Sequence, residues 1–367
     1  MNQEDLLWVL ALQSVPKIGD INAKKLINHC GSAKAVFNEK KHHLTKIDGI
    51  GELMIKKLFE KDYVSGAEAE LRFIEQECIT PVYYKDALYP EKLKHCIDAP
   101  VVLFQRGNIN LQGKRLVSIV GTRRITSYGT SFCEQLVAEL AALDVVIVSG
   151  FAYGVDICAH KAAMKNNLQT IGCLAHGLNQ IYPKVHAKYM KEMEVNGGFV
   201  TDFKSTDKFD RNNFLRRNRI IAGLADATVV IESADRGGSL VTADIAYSYN
   251  RDVFAVPGRV GDTYSVGCNN LIKQQKAQML TSAADLIYSL GWSLEKETAK
   301  PIQKQLFVEL EGDENVIYTF LKDKGKQLLD VIALECALPI FKVSATLLNL
   351  EMKGLIRPLP GKLFEAL

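Results

Sequence analysis

The sequence predicts an α/β protein built on a doubly wound sheet, with a helical domain before it and a winged-helix domain after it. Three patterns support this. Between about residues 80 and 290, short runs rich in β-branched residues alternate with helical patterns, as parallel strands wrapped by helices do. Residues 1–75 carry amphipathic helical patterns broken by two similar glycine turns. Residues 316–367 read as three helices and a hairpin.

The N-terminal turns are Val15-Pro16-Lys17-Ile18-Gly19 and Ile47-Asp48-Gly49-Ile50-Gly51, each leading into a helix with a lysine pair, Lys24-Lys25 and Lys56-Lys57. A helix-hairpin-helix uses such glycines to bring backbone amides to a DNA phosphate, with lysine adding charge. A glycine-bearing turn that only packs two helices has the same pattern.

In the domain spanning 80–292, strands are expected at 116–120, 145–148, 170–174, 198–201, 227–231 and 253–256. Their apolar and polar residues mostly fail to alternate, which places a layer of helices on both faces. In an open parallel sheet, ligands bind beyond the carboxyl ends of the strands, so the following loops should carry function. The first strand leads to Gly121, Thr122 and Arg123; the second to Gly150 and the Gly154-Val155-Asp156 turn; the third to Tyr182-Pro183-Lys184.

The fourth strand leads to Arg211 and then to Phe214, Arg216, Arg217, Asn218 and Arg219, the densest basic run in the chain. The fifth leads to Gly237, Gly238, Ser239 and Thr242, a glycine-rich helix entry. Arginine forks match phosphate oxygens, a phenylalanine ring offers a face to an unstacked base, and helix N-terminal amides favour an anion. Loops of this kind at one sheet edge predict a nucleic-acid site. With 45 Lys+Arg against 42 Asp+Glu, the whole molecule is no polycation, so the site must be local.

Catalytic chemistry is poorly supported. No loop matches the Walker pattern, His160 reads as a packing histidine, Asp156 as a helix cap and Glu232 as an acid at a strand end. His176 and His186 lack a third metal ligand at suitable spacing. The eight cysteines form no C-x-x-C pair, and together with an acidic N-terminus and no stretch of membrane-span length this predicts a cytoplasmic protein.

Residues 293–315, rich in Lys, Glu, Gln and Asp, read as a linker. Beyond it, helices are expected at 316–321, 328–336 and 343–353 and a wing at 355–364. The recognition-helix position carries chiefly Lys342 and Lys353, fewer bases than a DNA reader needs, so packing or protein contact is expected there.

Seven motifs taken in order resemble the DNA-processing protein A (DprA/Smf) family: Val120-Gly121-Thr122-Arg123, Ser149-Gly150 through Asp156, Ala159-His160, Tyr182-Pro183, Arg217 through Gly223, Gly238 through Ala243, and Val253 through Gly258. The resemblance implies an extended Rossmann-like domain that dimerises, binds single-stranded DNA in a positive pocket without a cofactor, protects it, and loads the RecA recombinase during natural transformation. Carried over by position, it implies a phosphate clamp at Arg123, a pocket lysine at Lys184, a basic residue at Arg211 and a base-contacting ring at Phe214. This chain departs from the family pattern at Tyr153, where arginine is common, at Leu215 in place of proline, and at Gln275 in place of glycine.

An alternative from another class is a nucleotide phosphoribohydrolase of the lysine-decarboxylase-like group, which shares the sheet type. Its glycine loop supplies a glutamate three residues after the threonine. Here Thr242 is followed by Ala243-Asp244-Ile245, so the general acid–base carboxylate is out of place.

Overall fold

The computed structural model describes residues 1–292, 310, 312–359 and 362–366 of the 367-residue chain. The main sheet has nine strands: β1 (Thr80–Tyr83), β2 (Val102–Asn108), β3 (Leu116–Val120), β4 (Val146–Ser149), β5 (Thr170–Cys173), β6 (Gly197–Thr201), β7 (Ala227–Val230), β8 (Asp252–Ala255) and β9 (Gln278–Met279). Their spatial order is β1-β2-β6-β5-β4-β3-β7-β8-β9. From β6 to β9 neighbouring strands are parallel, whereas β2 runs antiparallel to both β6 and β1.

The six expected strands form within one residue at each end. Three others lacked a clear signal. β1 contains Pro81 opposite Phe104, which an edge strand tolerates because proline has no N–H to give the ladder. β2 begins with three buried residues and ends in exposed Gly107 and Asn108, so it shows neither a full apolar run nor alternation. β9 has only two residues.

The described residues also form seventeen α-helices. Six precede the sheet: α1 (Gln3–Gln13), α2 (Asp20–Cys30), α3 (Ala33–Asn38), α4 (Lys41–Leu44), α5 (Glu52–Leu58) and α6 (Val64–Gln76). Within and after the sheet come α7 (Glu91–Lys94), α8 (Ser127–Leu140), α9 (Val155–Lys165), α10 (Ala187–Val195), α11 (Asn212–Leu224), α12 (Gly238–Ser248), α13 (Val266–Lys273) and α14 (Ala283–Ser289). The last three are α15 (Asp313–Lys324), α16 (Leu329–Glu335) and α17 (Ile340–Met352).

Alternate residues of the central strands enter different cores, as the pleat requires. Val117, Ile119 and Ile147 pack with Leu136 of α8 and Ala159 of α9. Leu116, Val120 and Val146 pack with Ile220 and Ile221 of α11 and Ala243 of α12. The sheet is therefore covered on both faces.

α1–α6 share a third core with the antiparallel edge, joining Leu10, Leu26 and Leu58 to Val102, Phe104 and Phe199. Polar contacts cross the same seam: Asp20 accepts from the Val101 amide at 2.9 Å, and Glu70 accepts from the Ser205 amide at 2.9 and 3.0 Å. The expected division between residues 75 and 80 is thus a change of secondary structure across which packing continues, and the first compact unit runs from Met1 to Leu294. The glycine turns begin α2 and α5, with Gly19 and Gly51 as N-caps. Lys25 donates to the Asp48 carbonyl at 2.9 Å, so this lysine ties the two hairpins together.

The second unit runs from Glu295 to Leu367. In it α15–α17 surround Ile317, Leu321, Ile332, Val343 and Leu347, with a small sheet ordered β10 (Gln327–Leu328), β12 (Leu363–Ala366), β11 (Ile356–Leu359). Of the expected linker, 293–309 and 311 lie outside the described residues, as do Pro360 and Gly361 of the wing. Residues 313–315 of that linker instead form the first turn of α15, where Asp313 and Glu314 suit the positive end of the helix dipole.

Lys342 and Lys353 are ion-paired with Asp313 and Glu314, while Phe341, Leu348 and Met352 on α17 are exposed. Because each of these few lysines already has a carboxylate partner, the double variant Lys342→Ala, Lys353→Ala is expected to leave duplex affinity unchanged. An electrophoretic mobility assay with a duplex oligonucleotide checks this. Among the described residues, no single helix is long and apolar enough to cross a membrane.

Candidate nucleic-acid interface

The connections after β3 progress toward β6, and the chain then returns to place β7 on the other side of β3. Such a reversal opens a crevice beyond the strand ends. A cavity of about 280 Å³ occupies it, lined by Gly121, Thr122 and Arg123 after β3, Ala152 and Asp156 after β4, Phe214, Leu215, Arg217 and Asn218 on α11, Ser233 and Ala234 after β7, and Gly237, Gly238, Ser239 and Thr242 at the start of α12.

The loops around this cavity brace one another. The Thr122 carbonyl accepts from the Val155 amide at 3.1 Å, and the Thr122 amide donates to the Glu232 carbonyl at 2.7 Å. Gly154 has φ +75°, and a Cβ there would lie 2.2 Å from the Thr122 carbonyl oxygen, so only glycine fits both the backbone angle and the close approach. Glu232 accepts from the Thr126 amide at 2.9 Å and from the Thr126 hydroxyl. Its carboxylate therefore serves the N-terminus of α8.

α12 enters the cavity through Gly237, whose N-cap position has no side-chain hydrogen bond, leaving first-turn amides for an anion. Ser239 donates to Ser233 at 2.9 Å, and Ser239 and Thr242 are buried in the wall. Gly150 lies beneath the floor: a Cβ there would meet the Asp156 carboxylate at 2.4 Å and the Arg217 guanidinium at 2.8 Å.

The arginines of α11 diverge, as consecutive helical positions must. Arg217 is 4% exposed and donates to the carbonyls of Gly150 and Cys173, with Nε 3.3 Å from Asn218 Oδ1. Burial pushes its pKa down, and the Asp156 charge opposes that shift. Arg217 thus supports the floor through Nη1 and also lines the cavity. Arg219 leaves the cavity altogether, pairing with Asp20 of α2 and with Asp202, and donating to the Asp98 carbonyl. Burial works against its charge, but the Asp202 and Asp20 carboxylates outweigh it and hold the guanidinium above its ordinary value. Arg216 is exposed and lies over the Phe203 ring at 5.1 Å, facing a separate groove that holds Lys204 and Lys208 together with Asp20, Asp202, Asp207 and Asp210.

Arg123 remains at the cavity mouth, exposed and without an ion pair among the described residues, its guanidinium 5.4 Å from the centre of the half-buried Phe214 ring. Arg211 and Lys184 are also exposed and unpaired among the described residues, outside the cavity lining. Tyr182 brings the Lys184 loop toward the cavity, its ring 5.6 Å from that of Phe214. Sequence reading overlooked Ser233 and Ala234, although the rule that ligands meet the loops after strands points to them. It also overlooked Phe209, which precedes the basic run by only a few residues and joins the Phe214 and Tyr182 rings.

Among the described residues, the carboxylates in and near the cavity all have partners. Asp156 accepts from the Ala152 amide at 3.2 Å beside Arg217, Glu232 caps α8, and Asp244 is paired with Lys276 at 2.8 Å. His160 is fully buried, with Nδ1 2.7 Å from Thr170 Oγ1. Burial, with the positive charges of His186 and Arg217 adding, pushes its pKa down to about 3. The unfolded chain takes this proton near pH 6.5, so the contribution to stability is complete above that pH and is lost as pH falls toward 3, by about 1.4 kcal/mol per unit. His160→Gln is expected to flatten this part of the profile by one proton in urea unfolding between pH 6.5 and 4.

The family described as DNA recombination-mediator protein A matches residues 80–291, and the DprA winged helix domain matches 304–362. Protein Smf of Synechocystis is 30% identical over 99% of both chains, and Protein Smf of Escherichia coli is 33% identical over 80% of this chain and 79% of its own. The crystal structure of DNA processing protein A from Streptococcus pneumoniae aligns with a TM-score of 0.65 at 29% identity, over 78% of this chain and 98% of that one. A structure of DNA processing protein A from Helicobacter pylori, which addresses that protein's single-stranded DNA binding mode, aligns with a TM-score of 0.52 at 29% identity, over 58% of this chain and 95% of that one. With the sheet region and the winged-helix region both matched, the chain belongs to the DNA recombination-mediator protein A (DprA/Smf) family.

Proposed function

We propose that this protein binds single-stranded DNA across the cavity at the β3/β7 crevice and holds it without cleaving it, as a recombination mediator and not an enzyme. The observation that carries the reading is Arg123, an exposed cation with no ion pair among the described residues, set over the half-buried Phe214 ring beside uncapped helix amides. A phosphate meets the guanidinium and the amides, and the next base meets the ring. Gly121, Thr122, Gly237, Gly238, Ser239 and Thr242 shape the phosphate side, with Lys184 and Arg211 adding charge at the rim. Gly150, Arg217 and Asn218 act from beneath, by holding the floor. Arg216 adds an exposed cation on the same helix outside the cavity, and Arg219 belongs to the fold.

The relatives' names support a role in DNA processing, and we extend it to protection of incoming strands in natural transformation, handover to a RecA-type recombinase, action as a homodimer and a cytoplasmic location. The test is fluorescence anisotropy with matched single-stranded and duplex oligonucleotides over a salt series. Tighter single-strand binding with an inverse salt dependence is expected; equal binding of both forms would overturn the reading. Phe214→Ala is expected to cost about 1–3 kcal/mol of single-strand affinity, and an unchanged affinity would remove the ring from the site.

A further inference from the structure

Phe214 is one corner of a triangle of rings. Its centroid lies 5.6 Å from Tyr182 and 5.8 Å from Phe209, and Tyr182 and Phe209 are 5.2 Å apart. The interplanar angles of 71°, 75° and 55° make these contacts edge-to-face or tilted, so the rings brace one another without stacking face on face. Phe209 is 45% exposed and Tyr182 39%. Large aromatic rings held open to solvent at the rim of a charged cleft need a reason, because burial would otherwise stabilise them.

The polar neighbours of this patch point to its occupant. Asp207 and Asp210, in the same loop as Phe209, are engaged by the backbone amides of Lys204 at 2.9 Å and Asn212 at 2.8 Å. Lys208, Arg211 and Lys184 are exposed and form no ion pair among the described residues. Apolar ring faces flanked by free cations suit bases joined by phosphates.

We infer that Phe209 and Tyr182 form, with Phe214, a stacking platform for successive bases of a single strand, extending the site outward from the cavity. The inference rests on the proposed single-strand binding, and the platform reads unpaired bases by their faces and so tolerates any sequence. A duplex, whose bases are already stacked, gains nothing from it.

The experiment compares an ordinary single-stranded oligonucleotide with an abasic oligomer of equal length and charge, using the full chain and fluorescence anisotropy. The wild type should favour the ordinary strand. Phe209→Ala should lower affinity for it about tenfold, leave abasic affinity unchanged and keep the same salt slope, with Phe209→Tyr restoring the preference and Tyr182→Ala repeating the loss. If Phe209→Ala binds the ordinary strand as the wild type does, or loses affinity for both strands equally, the platform is overturned while single-strand binding stands. If the wild type binds neither strand, both the platform and the reading beneath it fall.

Discussion

Arg217→Met is expected to destabilise the protein by about 3–5 kcal/mol, because it removes the charge from a buried guanidinium and strands the groups that its Nη1 serves. The carbonyls of Gly150 and Cys173 lose their donor, and Asp156, whose pKa burial already raises, loses the neighbouring positive charge that opposes the rise. A buried acceptor left unmatched costs free energy even when the shape is conserved. Urea unfolding followed by circular dichroism checks this, and a loss below about 1 kcal/mol would show that water replaces the guanidinium without penalty.

Arg219→Met should cost a comparable amount, about 3–5 kcal/mol, for a different reason. Two carboxylates of low exposure, Asp20 on α2 and Asp202 after β6, share this one guanidinium. Without it they repel each other across the seam that joins the N-terminal helices to the sheet. Under conditions where the variant remains folded, its affinity for single strands should match the wild type, since the residue lies outside the cavity. Reduced affinity with unchanged stability would place Arg219 in the interface instead.

These two substitutions mark what the sequence reveals and what it hides. The basic run on α11 announces itself by composition, yet composition does not show direction. Successive helical residues are rotated by about 100°, so Arg216, Arg217 and Arg219 reach a lateral groove, the cavity floor and the N-terminal seam respectively. The partners that divert Arg217 and Arg219 lie 17 to 199 residues away in sequence, where no local pattern reaches. Arg123 is more legible, because a residue just past an apolar parallel strand must stand at the sheet's carboxyl edge.

The same logic explains the strands. β3 to β7 are buried along their length, as is β8 after its first residue, so each is visible as a short run. β1 and β2 are recognisable only once paired, because their register against each other and against β6 supplies what their sequences lack. In the N-terminal hairpins the motif is plain, but the bond from Lys25 to the Asp48 carbonyl depends on how the two hairpins meet.

The salt dependence of single-strand binding by Arg123→Ala provides the sharpest test of a cationic cleft at the β3/β7 crevice. Each phosphate neutralised on a single strand contributes a slope of about −0.7 in log K against log salt. Removing Arg123 should therefore make the slope shallower by about 0.7 and weaken binding at low salt about tenfold or more, as loss of a charged hydrogen bond does. An unchanged slope and affinity would contradict the assignment of this crevice as the place where the strand is held.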